Sequence, residues 1–230
     1  SMRSLDRFID PYPKDGGCDE GPGYWGRAGA SLLDCLELLH SATDGQVDVY
    51  GEPLIQDIGR FIYRVHIADD YYVNFADASA IITPAPGVVY RYGQRIGDAR
   101  LAAFGAWLAR RQDVMHAPTS GRVSLGRFLP LLFDLDEIWA AQAYAPLPQA
   151  VWLPEVQVML ARDREGTTDG LCVAAKGGHN AESHNHNDVG NVVVYVDGKP
   201  VIVDAGVETY TRRTFSAQRY EIWTMQSAYH

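Results

Sequence analysis

The spacing of apolar residues changes once along this chain, near residue 147. Upstream it follows a helix. ASLLDCLELLHSA, residues 30–42, puts Leu32, Leu33, Leu36 and Leu39 on one wide face with Cys35 among them, the repeat that a half-buried helix requires. Asp44-Gly45 stops it. LIQDIGRFIYRVHIA, residues 54–68, repeats the pattern through Leu54, Ile58, Ile62 and Val65. ARLAAFGAWLARRQ (99–112) and RFLPLLFDLDEIWAAQ (127–142) predict two more helices. The second is expected to be regular only downstream of Pro130, whose ring and missing N–H interrupt the hydrogen-bond ladder. VNFADASAIITPAPGVVYRYG, residues 73–93, reads as irregular. Several helices joined by long loops predict a helical array rather than a bundle with short turns.

Downstream the period becomes that of strands. Pro146, Pro148 and Pro154 mark a linker. VQVMLARD, GLCVAAKGG, NVVVYVDGKPVIVDAG and RYEIWTMQSAYH then predict strands. Asp197-Gly198 between Val192–Val196 and Val201–Val203 is a hairpin signal. No helix separates these strands, so the sheet is expected to be antiparallel. The fold class predicted is α+β, with a helical portion over 1–147 and a β portion over 148–230. A sheet ending on its last strand would leave an open edge. A longer natural protein, or completion by another chain such as a second copy, is expected. Ser1 ahead of Met2 reads as the scar of a cleaved tag.

Composition narrows this picture only a little. The 230 residues are 47% hydrophobic and 21% charged, as in ordinary globular domains, and no apolar run reaches membrane-spanning length. The first residues lack the basic-then-apolar pattern of a secretory signal. The net charge of −9 argues against sequence-independent binding of nucleic acid, which needs a basic face. A few placed arginines could still define a local anion site. The three cysteines, Cys18, Cys35 and Cys172, are too scattered for a disulfide framework, and Cys35 is expected to be a buried thiol. Compartment stays open.

Two stretches carry chemistry. GGHNAESHNHNDVGN, residues 177–191, holds His179, His184 and His186 beside Glu182 and Asp188. His184 and His186, one residue apart, share a face if extended. With Asp204, placed after Val-Ile-Val, and His230, His186 completes a two-histidine, one-carboxylate set suited to zinc. A polar loop of solvated histidines accounts for the same residues, and His179 fits a hydrogen-bonding role. The other stretch is DGGCDEGPGYWGRAG, residues 15–29, where Gly16, Gly17, Gly21, Gly23 and Gly26 surround Tyr24 and Trp25. So much glycine permits close approach of a ligand; two aromatics packed on the helices would read the same way.

These blocks together identify a resemblance. DEGPGYWGRAG with its Leu-rich helix, KGGHNAESHNHNDVGNVVVYVDGKPVIVDAG and QRYEIWTMQSAYH resemble, in order, the heparinase II/III-like polysaccharide lyases, in the branch that also contains oligoalginate lyases. The resemblance implies an (α/α) toroid followed by antiparallel β-sandwich layers, with family members extending past both ends of this chain. It implies β-elimination on a uronic-acid polysaccharide in a bacterial, carbohydrate-degrading context, whether periplasm, envelope or cytoplasm. Tyr24 and His184 match the catalytic tyrosine and histidine. His186, Asp204 and His230 match the ligands of a zinc that looks structural. The reverse assignment, with His184 as ligand and His186 as catalyst, stays open. The group that neutralises the uronate carboxylate is expected upstream of Ser1. Trp25, Arg212 and Arg219 are candidates for substrate contact, with Arg213, Arg91 and Tyr92 behind them. Gln218 and Glu182 are candidates to orient neighbours.

Two other classes remain in competition. A zinc-dependent glycan hydrolase would use the metal to activate water, with Glu182 as base. A carbohydrate-binding module would keep Trp25 without needing Tyr24 and His184 together.

Overall fold

The computed structural model describes residues 2–116, 124–179, 181–184 and 189–204, with Arg212 and Ser216. Its secondary structure is α+β, and the chain packs as two compact units. One comprises residues 1–11, 26–63 and 83–146; the other comprises 12–25, 64–82 and 147–230. One break between the units falls between residues 146 and 147, and the unit that holds the sheet also includes two segments from the helical half.

The first unit holds α1 (Met2–Ile9), α2 (Gly29–Ala42), α3 (Pro53–Arg64), α4 (Pro86–Arg95), α5 (Ala99–Arg111) and α6 (Leu125–Ala140). On α2, Leu32, Leu33 and Leu36 are buried, while Cys35 lies off that face and is exposed, contrary to expectation. The stretch read as irregular contains α4, which Pro86 opens in the first turn, where its missing N–H costs no helical bond. Asp98 caps α5 by accepting from the Leu101 N–H at 3.0 Å. Pro130 is accommodated inside α6 rather than delaying its start. Tyr90, Ala106, Ala109, Leu131 and Ile138 join α4, α5 and α6 in one apolar cluster.

The second unit is built on a five-stranded antiparallel sheet: β3 (Ala150–Leu153), β4 (Val158–Arg162), β5 (Leu171–Lys176), β6 (Asn191–Val196) and β7 (Lys199–Ile202), paired in chain order. Asp197 and Gly198 both take positive φ, 49° and 72°, the geometry of a two-residue hairpin turn. One face of the sheet is buried through Val158, Leu160, Ala174, Val193 and Tyr195. Burying each large aliphatic side chain here contributes about 1.5–3 kcal/mol. The register Trp152–Met159 and Ala175–Val192 lies on the opposite face, where Trp152 and Val192 are exposed.

A short hairpin, β1 (His66–Ala68) and β2 (Tyr71–Tyr72), docks on this sheet. Arg162, pointing inward from β4, donates to the carbonyls of His66 at 2.9 Å and Ile67 at 3.2 Å. The same guanidinium donates to Pro148 at 3.0 Å and Thr167 at 3.5 Å. Burial lowers its pKa, and these four carbonyls satisfy it. The segment 12–25 is tied in by Asp15, whose carboxylate accepts from the N–H groups of Gly17, Glu155 and Val156 at 2.9, 2.6 and 3.2 Å.

Candidate acid–base site

Three segments of the second unit converge on one group of side chains. Glu20 comes from the glycine-rich loop, which also carries Tyr24 at the end of a single 3₁₀ turn, Pro22–Tyr24. Asp77 comes from the turn after β2, closed by Ala78 N–H donating to Phe75 O at 3.1 Å. His184 comes from the loop between β5 and β6. That loop is pinched at its base, where the Gly190 N–H donates to Lys176 O at 2.9 Å.

Glycine sets the first two segments against each other. Gly21 has φ +90°, and a β-carbon on it would lie 2.5 Å from Phe75 O and 2.6 Å from the β-carbon of Ala78. Only a residue without a side chain, free to adopt positive φ, permits this approach. The His184 loop has its own support. Lys176 Nζ meets Glu182 Oε2 at 2.7 Å, and Glu182 Oε1 accepts from the His179 N–H at 3.1 Å. Gly178, at φ +103°, leaves the room that the Glu182 carboxylate fills. Glu182 is thus committed to holding the loop, and His179 accepts at Nδ1 from the Ala181 N–H.

His184 Nδ1 lies 3.0 Å from Asp77 Oδ2 and 3.7 Å from Glu20 Oε1. The imidazole is 42% exposed, against 13% for the Asp77 side chain and 29% for Glu20. His184 itself takes φ +52°, a sparsely populated region in which His is better tolerated than most residues. One ligand atom from each of the three lies within 4.8 Å of the others, a spacing that could also hold a cation. The hydrogen-bonded Nδ1–Asp77 contact is the arrangement expected of a protonated ring nitrogen facing a carboxylate. Beside the three, a cavity of about 280 Å³ is lined by Asp19, Phe75, Lys176, His179, Glu182 and Ser183.

The other residues singled out from the sequence fall as follows. Trp25 is 1% exposed, so its ring is core and offers no face to a sugar, a correction to its expected contact role. Asp204 follows β7, part-buried, its carboxylate accepting from the side-chain amide of Asn191. His186, His230, Arg213, Gln218 and Arg219 lie outside the described residues, and Arg212 is exposed. Arg91 pairs with Glu37 at 3.2 Å, and the buried Tyr92 donates to Ile55 O at 2.9 Å; both are structural in the helical unit. Glu20 and Asp77 were not singled out. Glu20 sits in the DEGPGYW block, but nothing local marks Asp77.

The architecture is that of an α+β chain that assembles an acid–base group on a sheet unit completed by loops from far upstream. Residues 146–230 match the family described as Heparinase II/III-like, C-terminal. No curated protein matches the chain. No helix among the described residues is long and apolar enough to cross a membrane.

Proposed function

We propose that this protein is a polysaccharide lyase that cleaves a uronic-acid-containing polysaccharide or oligosaccharide by β-elimination. One observation carries the reading. His184 and the Tyr24 loop belong to the same compact unit as the heparinase II/III-like segment, and the imidazole is part-exposed with Nδ1 turned to Asp77. β-Elimination asks a base to take the C5 proton of a uronate and an acid to protonate the oxygen leaving C4. A histidine and a tyrosine suit those two tasks.

The helices of the first unit are read as part of an (α/α) toroid and the five-stranded sheet as the first layer of a β-sandwich. The exposed apolar residues Trp152, Val192 and Ile202 support the second reading, since a further layer would cover such a face. The similarity to oligoalginate lyases and a bacterial origin belong to the same proposal, as do contacts from Arg212 and Arg219 to substrate carboxylates. Zinc fits the donor chemistry of His186, Asp204 and His230, two imidazoles and a carboxylate. Of these, Asp204 is described, and its hydrogen bond to Asn191 is the kind of support that orients a ligating carboxylate. When bound, the metal would stiffen the wall of the site.

The test is ultraviolet absorbance during incubation of the natural full-length protein with a panel of uronate polymers. A C4–C5 double bond conjugated to the carboxylate absorbs where substrate does not. A rise is expected with at least one polymer. Cleavage without a rise would replace elimination by hydrolysis, and binding without cleavage would leave a recognition module.

A further inference from the structure

We propose that Asp77 is a positioning residue for His184. Its carboxylate accepts the Nδ1–H and so holds the imidazole in the tautomer whose Nε2 carries the free lone pair. The role in turnover rests on the lyase reading above; the pairing itself does not.

The argument is geometric. Asp77 Oδ2 stands 3.0 Å from Nδ1, within hydrogen-bond reach, whereas Glu20 Oε1 at 3.7 Å is beyond it and adds only charge. An ionised carboxylate only accepts, so the shared hydrogen resides on the ring. A neutral imidazole has one N–H, and fixing it at Nδ1 leaves Nε2 bare. Asp77 is the more enclosed partner and His184 the more exposed one, so the carboxylate supports from behind while the ring edge meets solvent. The support is firm because the Asp77 turn is wedged against Gly21, whose close approach to Phe75 and Ala78 leaves no room for sliding. The pair spans 107 residues of sequence, which makes it a product of the fold rather than of one motif.

In the elimination, Nε2 takes the C5 proton, and the C5–H electron pair becomes the second bond between C4 and C5. The C4–O bond breaks, and the leaving oxygen takes the Tyr24 hydroxyl proton. Imidazolium and tyrosinate then exchange one proton through solvent, which restores both groups. Asp77 stays ionised throughout and stabilises the imidazolium, the role a buried carboxylate plays behind a catalytic histidine elsewhere.

The experiment compares Asp77→Asn, Asp77→Glu, Glu20→Gln and His184→Gln in the full-length protein. It reads kcat and KM on a cleaved polymer together with the ¹⁵N signature of the His184 tautomer, assigned by its loss in His184→Gln. Asp77→Asn is expected to lower kcat about 100-fold, the scale of one positioned acid–base group, with KM nearly unchanged and the Nδ1–H signature lost. Asp77→Glu is expected to recover part of both, and Glu20→Gln to lose less than Asp77→Asn. A kcat within threefold of wild type in Asp77→Asn, while His184→Gln is inactive, would overturn the positioning role and leave the lyase reading intact. A larger loss in Glu20→Gln would overturn the choice of Asp77. Should no polymer be eliminated, the tautomer alone decides: loss of Nδ1–H in Asp77→Asn supports the pairing, and its persistence refutes it.

Discussion

Gly21 lies so close to the Phe75 carbonyl that a β-carbon on it would stand 2.5 Å from that oxygen. The contact joins the loop that bears Glu20 and Tyr24 to the turn that bears Asp77. Gly21→Ala meets two penalties at once, a positive φ and a steric overlap with backbone. It is expected to destabilise the protein by roughly 2–4 kcal/mol and to reduce turnover by more than any loss of folded fraction explains. Urea denaturation read beside the specific activity of the folded protein checks this. A stable, fully active Gly21→Ala would mean the two segments are not locked.

Tyr24→Phe removes one hydroxyl and little else. If Tyr24 exchanges a proton with substrate, kcat falls at least about 100-fold while polymer binding, measured by calorimetry, is retained. Undiminished turnover would remove Tyr24 from the chemistry.

The Asp204 prediction concerns metal. Purified protein is expected to carry zinc near one per chain by atomic emission, and Asp204→Asn to carry far less and melt lower. Equal zinc in the two proteins would exclude Asp204 as a ligand.

Cys18 offers a pH signature. Burial first, then the charge of Asp19, push its thiol from 9.0 up to about 12. The unfolded chain releases this proton near pH 9 while the folded chain still holds it. The contribution to stability is therefore present below pH 9 and declines as pH climbs toward 12, by about 1.4 kcal/mol per unit. Between pH 8 and pH 10.5, Cys18→Ala should lose less unfolding free energy than wild type. Parallel losses would show that Cys18 is not as enclosed as described. Native alkylation at pH 8 should label Cys35, the exposed cysteine, and spare Cys18 and Cys172.

Arg162 is expected to tolerate no neutral replacement. Arg162→Met leaves the carbonyls of His66 and Ile67 without their donor, at a cost of about 1–3 kcal/mol for each buried group left unsatisfied. A denaturation midpoint close to wild type would mean that water or a shifted donor replaces the guanidinium.

Legibility in the sequence followed the range of the forces involved. The β6–β7 hairpin was readable because Asp197-Gly198 specifies its own turn. The helices α2, α3 and α5 were readable because their apolar faces recur locally. α4 was hidden by Pro86, Gly87 and Gly93, which look like loop chemistry although Pro86 in fact starts the helix. β1 was absorbed into the helical pattern of α3, because His66, Ile67 and Ala68 are all buried and so show no alternation. Tyr24 and His184 stood out as rare residues in glycine-rich contexts. Asp77 did not, because its meaning comes from a partner 107 residues away. Trp25 was misread because an aromatic beside glycines looks the same from sequence whether it faces sugar or core.

The stretch that carries the family likeness is not the stretch that stands alone. An excised 146–230 fragment would keep Pro148 and Thr167 as acceptors for Arg162 but forfeit His66 and Ile67. It would also lose the Asp15 carboxylate from Glu155 and Val156. Any transplant of this β module into another scaffold has to bring residues 12–25 and 64–82 along, or the graft will arrive with its underside bare.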